Sequence, residues 1–277
     1  MKWASFWVVV IACLMYHSML YAGGKLLATP GVSQLEGSGG GGIVPWAQLS
    51  GYATEDEWSL GAFCSGAKLQ DYQLDVCGAQ VNFFDRLELS VAEQNFTVAV
   101  SNRVIEQSVL GAKIRLYGDV IYSDWPQLSV GLMHKSLGDS AIARALGADA
   151  SQGNDVYFSA SKLHLGALYG RNWFWNITAR YTQANQIGLL GFGGKYASKR
   201  WHIEMSSAVF VAPQLALGFE FREKPHNLGL GESHWRNLFI AWFPMKSLNV
   251  TAAWLDLGSI AGVPSQEGLY LSLAGNF

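Results

Sequence analysis

With 19 Lys and Arg against 21 Asp and Glu over 277 residues, the chain carries a net charge of −2 and no basic cluster, which leaves no footing for nucleic acid. Charged residues are only 14% and hydrophobic residues 50%, against roughly 25% charged in soluble domains, so a shell facing water on all sides is excluded. Past the N-terminal region the longest uncharged stretch, Gly37 to Thr54, is mostly Gly, Ser and polar residues with a Pro, so no spanning helix fits in the remainder.

In chain order, Lys2 precedes an apolar run from Trp3 to Met15, and Leu20-Tyr21-Ala22 precedes Gly23-Gly24. This predicts a secretory signal peptide over residues 1–22, cleaved after Ala22. A single spanning helix is the competing reading, because no Asp, Glu, Lys or Arg falls between Trp3 and Gly24; the short apolar core argues against it. Residues 23–44 are Gly-rich with little strand pattern and lack the strand-then-helix context of a phosphate loop. The segment is either a disordered leader or a plug or lining of a lumen. Leu26, Leu27, Val32 and Leu35, otherwise exposed on a tail, favour the lumen.

From residue 45 onward the apolar residues recur at period two. The clearest case is Asn172 to Ala184, where Trp173, Trp175, Ile177, Ala179 and Tyr181 share one face and Asn176, Thr178, Arg180 and Thr182 the other. Leu87, Leu89 and Val91 alternate with Glu88, Ser90 and Ala92 in the same way. Such runs predict strands near 45–54, 57–69, 72–83, 86–95, 106–117, 126–135, 155–163, 172–184, 187–196, 200–210, 214–223, 236–244, 247–257 and 267–277. The expected fold is all-β, an antiparallel up-and-down transmembrane β-barrel over residues 45–277 with about 14 strands, 12 being the next count. Connections near 164–171, 224–235 and 258–266 read as long, those at 185–186 and 244–246 as short; residues 136–154 break that alternation with a short capped helix. Long loops outside and tight turns inside would put both chain ends in the periplasm.

The closing GLYLSLAGNF sets Leu269, Leu271, Leu273 and Phe277 on one face and ends on an aromatic. That ending resembles the bacterial outer-membrane β-barrel class, which implies a C-terminal assembly signal, a place in the outer membrane among its lipids, and handling by the barrel-assembly machinery. Tyr270, on the opposite face, departs from a clean terminal strand.

Cys64 and Cys77 lie symmetrically about Gln70-Asp71, so a tight turn there would oppose them and allow a cross-strand disulfide. Lys113, Arg115, Arg180, His202, Glu204, Glu220 and Arg222 fall on inferred inward faces and form the candidate lumen charges. Should Glu204 sit across a turn from Glu220, Arg222 or Arg180 would have to separate the carboxylates. No G-x-S-x-G or H-E-x-x-H motif occurs, and His134, His164, His202, His226 and His234 lack ligand spacing; His226, His234, Glu223 and Glu232 share one loop and read as solvated charge rather than a metal site. No catalytic residue, metal or cofactor is assigned.

The stretch Gly24-Lys25-Leu26-Leu27 through Pro45-Trp46-Ala47, with the Phe ending, resembles an uncharacterised proteobacterial family of outer-membrane-barrel-like proteins. That resemblance covers the mature chain and implies fold and location; it brings no site residues. The expected function is a passive channel or transport barrel for small solutes, apolar ones included, rather than an enzyme. A lipid or envelope hydrolase, testable at His202 and Glu204, and a structural or adhesive barrel are the competing readings.

Overall fold

A computed structural model describes residues 24–195 and 199–277. The predicted signal peptide lies outside the described residues. Two short strands, β1 (Val32–Ser33) and β2 (Gly39–Gly40), pair with each other. They are followed by β3 (Trp58–Leu69), β4 (Tyr72–Phe83), β5 (Leu87–Val98), β6 (Arg103–Tyr117), β7 (Gln127–Leu137), β8 (Gln152–Leu168) and β9 (Arg171–Thr182). The series ends with β10 (Arg200–Ala212), β11 (Leu215–Arg222), β12 (Trp235–Met245), β13 (Leu248–Asp256) and β14 (Glu267–Asn276). Strands β3 to β14 form one closed barrel in which each strand pairs antiparallel with its chain neighbours and β14 pairs with β3. Closure leaves no sheet edge unpaired.

The barrel therefore has 12 strands, not 14, and the two surplus predictions fail for different reasons. Residues 45–54 alternate weakly, but 45–53 are all buried, so that stretch has no outward face. Residues 187–196 begin as a 3-10 turn, Asn185–Gly188, and continue through Gly191, Gly193 and Gly194 at φ of 77°, 71° and 144°. Backbone in that left-handed region cannot extend as a strand. With residues 187–196 removed, the connections from residue 138 onward alternate long and short, while 118–126 is a longer connection at the short-turn end and 70–71 a tight turn at the other. The end of the barrel distant from the C-terminus carries the longest connections, including the 138–151 loop with its helix α1 (Ala141–Ala145). The 164–171 connection, expected to be long, is a two-residue turn at Tyr169 and Gly170, both at positive φ (50° and 79°). The 185–186 connection, expected to be short, belongs to the long segment between β9 and β10. Both the start of β3 and the C-terminus lie at the opposite, short-turn end, where Phe277 N donates to Leu60 O at 2.7 Å.

The outer face is an apolar belt. Leu269 is 69% exposed, Leu271 61% and Leu238 60%, while their strand neighbours Tyr270, Ser272 and Phe239 point inward and are buried. Cys64 and Cys77 are opposed across β3 and β4 and joined as a disulfide, with Cα atoms 4.1 Å apart.

Candidate functional site

The lumen is filled by the chain's own N-terminal segment: residues 30–53 are buried within the barrel. A segment with so little regular structure pairs only some of its own N–H and C=O groups, so the burial of the rest requires partners on the wall. The inward faces of the strands provide them. Glu88 on β5 accepts from Gly39 N (3.0 Å) and Ser50 N (2.6 Å), and Glu220 on β11 accepts from Ile43 N (2.9 Å). Lys113 Nζ on β6 donates to the carbonyls of Gly39 (2.8 Å) and Gln48 (2.7 Å). Gln80 donates to Gly37 O (2.6 Å), Gln94 to Leu35 O (2.8 Å), Gln127 to Ala47 O (2.7 Å) and Thr178 to Pro45 O (2.7 Å). The glycine tract follows from this close approach. A Cβ on Gly41 would stand 1.8 Å from Glu220 Oε1, and one on Gly39 2.9 Å from Glu88 Oε2.

At the centre a charge cluster joins plug to wall. Plug residue Glu36 pairs with Lys135, with Arg222 (2.7 Å) and with Arg180 (3.1 Å). Asp155 pairs with Lys135 (2.6 Å) and Arg180 (3.3 Å), and Glu204 with Arg180 (2.6 Å) and Arg222 (3.2 Å). The wall alone thus holds three cations and two carboxylates, and the plug brings the third carboxylate. Burial raises the Glu36 carboxyl, but Arg180, Arg222 and Lys135 outweigh it and hold it well below the usual 4.5. A folded-state value below the unfolded one stabilises the fold above the unfolded value and is lost as pH falls through the folded one. The stability difference between wild type and Glu36→Gln should therefore stay flat from neutral pH down to about 4.5 and shrink only below it. Denaturant titration of both proteins in micelles at stepped pH measures this.

At the short-turn rim Lys25 pairs with Asp85 (2.6 Å), and Arg115 contacts Asp85 and Asp119 (3.0 Å). Burial pulls the Lys25 ammonium below its ordinary value against the opposing pull of Asp85. Burial also pushes the Tyr52 phenol up to about 12, keeping it a neutral acceptor for Ala28 N (3.1 Å).

Of the candidate lumen charges, the structure brings Arg180, Glu204 and Arg222 together in the central cluster, and sets Lys113 and Glu220 against the plug backbone. Arg115 lies at the rim, and His202 meets Glu223 at 3.8 Å near the opposite end. The β10–β11 register opposes Glu204 to Arg222 and Ser206 to Glu220, so the expected carboxylate pair does not face itself. A bulge between Phe210 and Ala212 shifts that hairpin. In the 223–234 loop Glu232 pairs with Lys224 (3.0 Å), and the His226 and His234 rings are 6.3 Å apart. Among the described residues no three His, Cys, Asp or Glu side chains converge as a metal set.

The model of the family described as "Protein of unknown function (DUF3034)" matches residues 29–274, plug and barrel together. The chain belongs to this family. No curated protein matches it. Among solved structures, the outer membrane protein Omp33 of Acinetobacter baumannii is 8% identical with a TM-score of 0.50, over 81% of this chain and 100% of that one. The KdgM porin, in complex with disordered oligogalacturonate, is 8% identical with a TM-score of 0.52, over 78% of this chain and 99% of that one. At such identity the likeness is one of fold. Neither comparison identifies the lumen residues that matter in this DUF3034 chain.

Sequence reasoning missed Glu36, Glu88, Lys135 and Asp155. Glu88 had the right parity, opposite Leu87 and Leu89, and Lys135 and Asp155 stood at the limits of predicted strands. Glu36 carried no periodic signal, because it lies outside any ladder.

Proposed function

We propose that the protein is an outer-membrane barrel that conducts small solutes, with its pore closed by the N-terminal plug and opened when the plug moves. The apolar belt supports the location, since water would penalise that much exposed hydrocarbon while a bilayer favours it on the outside of a closed barrel. The porin-type fold is in keeping with this. In this reading the short-turn end with both termini faces the periplasm and the long loops face outward. Leu269, Leu271, Leu273 and Phe277 would serve the assembly machinery there.

The single observation that carries the conduit reading is the central cluster, in which a segment outside the barrel's strand ladder supplies the carboxylate that neutralises a charged lumen wall. With the plug withdrawn, that wall keeps Lys135, Arg180 and Arg222 against Asp155 and Glu204, a net positive lining for a conduit. The carboxylate that a hydrolase would need free is instead committed, Glu204 to two guanidiniums. The plug can be locked to test this. A Cβ at Gly37 would lie 3.2 Å from Ala92 Cβ, just under the roughly 3.5–4.5 Å spacing of a disulfide, and because Gly37 sits at φ 101°, which strains any side chain, closure of the variant's barrel is checked first by heat-modifiable gel mobility. Gly37→Cys with Ala92→Cys should be silent in planar bilayers when oxidised and conduct on reduction, against wild type with and without reductant. Equal current in both redox states, or silence in both, would contradict the reading.

A further inference from the structure

Nearer the short-turn end the inner wall changes character. Strands β9 to β12, which carry Arg180, Glu204, Glu220 and Arg222 at mid-barrel, present carbon there instead. One cross-strand row runs Phe174, Ala208, Gly218, Phe239, and the next runs Phe210, Ala216, Ala241. The small side chains of Ala208, Ala216 and Ala241 leave this part of the wall recessed, while the Phe239 ring lies over Gly218. A cavity of about 220 Å³ lies there, between plug residues Leu27 and Trp46 and wall residues Phe174, Phe210, Phe239 and Phe243. Protein interiors are close-packed, with few voids larger than a water, so a hollow of this size is a feature to explain.

Three observations define what would fill it. The volume exceeds the roughly 150 Å³ apolar cavity that accepts benzene. The Trp46 indole N–H is already given to Ser206 Oγ (2.8 Å), and its ring lies 4.4 Å from that of Phe174, so both offer aromatic carbon. Gln48 Oε1, which belongs to a cavity-lining residue, is buried without a protein partner. Apolar pockets with a few placed polar groups are the usual form of small-molecule sites.

We propose that this cavity binds a small aromatic molecule of about one ring bearing a single hydrogen-bond donor, of the phenol class, with the ring among the phenylalanines and the donor met by Gln48, whose unpartnered Oε1 turns from its buried position toward the cavity to accept it. The inference names a ligand class for the conduit proposed above and rests on that reading only for the ligand's route.

Fluorine NMR of para-fluorophenol with the full barrel in lipid nanodiscs, against empty nanodiscs, tests it. Wild type should give a saturable shift. Ala241→Phe, which adds a ring to the cavity lining, should abolish it, and Ala216→Leu on the adjacent strand repeats the test if the larger variant does not fold, judged by heat-modifiable gel mobility. Gln48→Leu should weaken binding about fivefold, the worth of one hydrogen bond. No saturable shift in wild type, or an unchanged shift in the folded cavity-filled variant, overturns the proposal. Because the readout is binding and not current, a silent bilayer trace beside a saturable shift would sink the conduit and uphold the site.

Discussion

Replacing Arg180 with Met should destabilise the barrel by about 3–5 kcal/mol, the usual cost of removing one partner from a buried ion cluster. Arg180 is 1% exposed and touches all three carboxylates of the cluster, Glu36, Asp155 and Glu204. Methionine fills much of the same space, so the loss comes from charge and hydrogen bonds rather than from a cavity. Two cations would then serve three buried carboxylates. Arg180→Lys restores the charge but not the planar fork that holds Glu204 through both Nε and Nη2, at 2.6 and 3.2 Å, and should recover only part of the loss. Adding Glu204→Gln to Arg180→Met should recover more, since Lys135 and Arg222 would then face two carboxylates, Glu36 and Asp155, rather than three. Guanidinium unfolding in micelles measures all three; a loss under about 1 kcal/mol for Arg180→Met would mean the cluster is not the keystone described here.

Gly41→Leu should unseat the plug while leaving the barrel closed. The new Cβ would fall 1.8 Å from Glu220 Oε1, on a carboxylate that is itself fixed by Ser206 (3.0 Å) and Asn237 (2.7 Å). Overpacking of this kind costs about 1–3 kcal/mol, and losing the Ile43 N–H bond to a charged acceptor adds about 1.5–3 kcal/mol. The twelve strands keep their own ladder, because no barrel hydrogen bond passes through the plug strands β1 and β2. Added protease should therefore cut within residues 31–50 of the variant in vesicles and spare wild type, and the variant's bilayer current should rise.

The strands were legible because their two faces meet opposite environments, which writes a period of two into runs such as Trp173 to Thr182 and Leu269 to Phe277. The plug was only half legible. Its exposed-looking leucines pointed to the lumen, but the reason for the glycine tract, the approach of Glu88 and Glu220 to its backbone, depends on residues far away in sequence. The same holds for Glu36, whose three partners come from β7, β9 and β11. Residues 45–54 misled because burial on every side leaves no face to alternate against. Residues 187–196 misled because glycines at positive φ were counted as small strand residues. The strand count and the loop alternation erred together, and removing the second false strand restores the alternation from residue 138 onward.

The central claim is that residues 31–50 lie inside a closed barrel set in a bilayer, tied by main chain to its wall. Hydrogen–deuterium exchange of the protein in nanodiscs tests this most directly. The amides of Gly39, Ile43, Ala47 and Ser50, which donate to Glu88, Glu220 and Ser161, should be protected as strongly as those of β9 and β10. Exchange of this segment within seconds, at the rate of a free tail, would contradict the account.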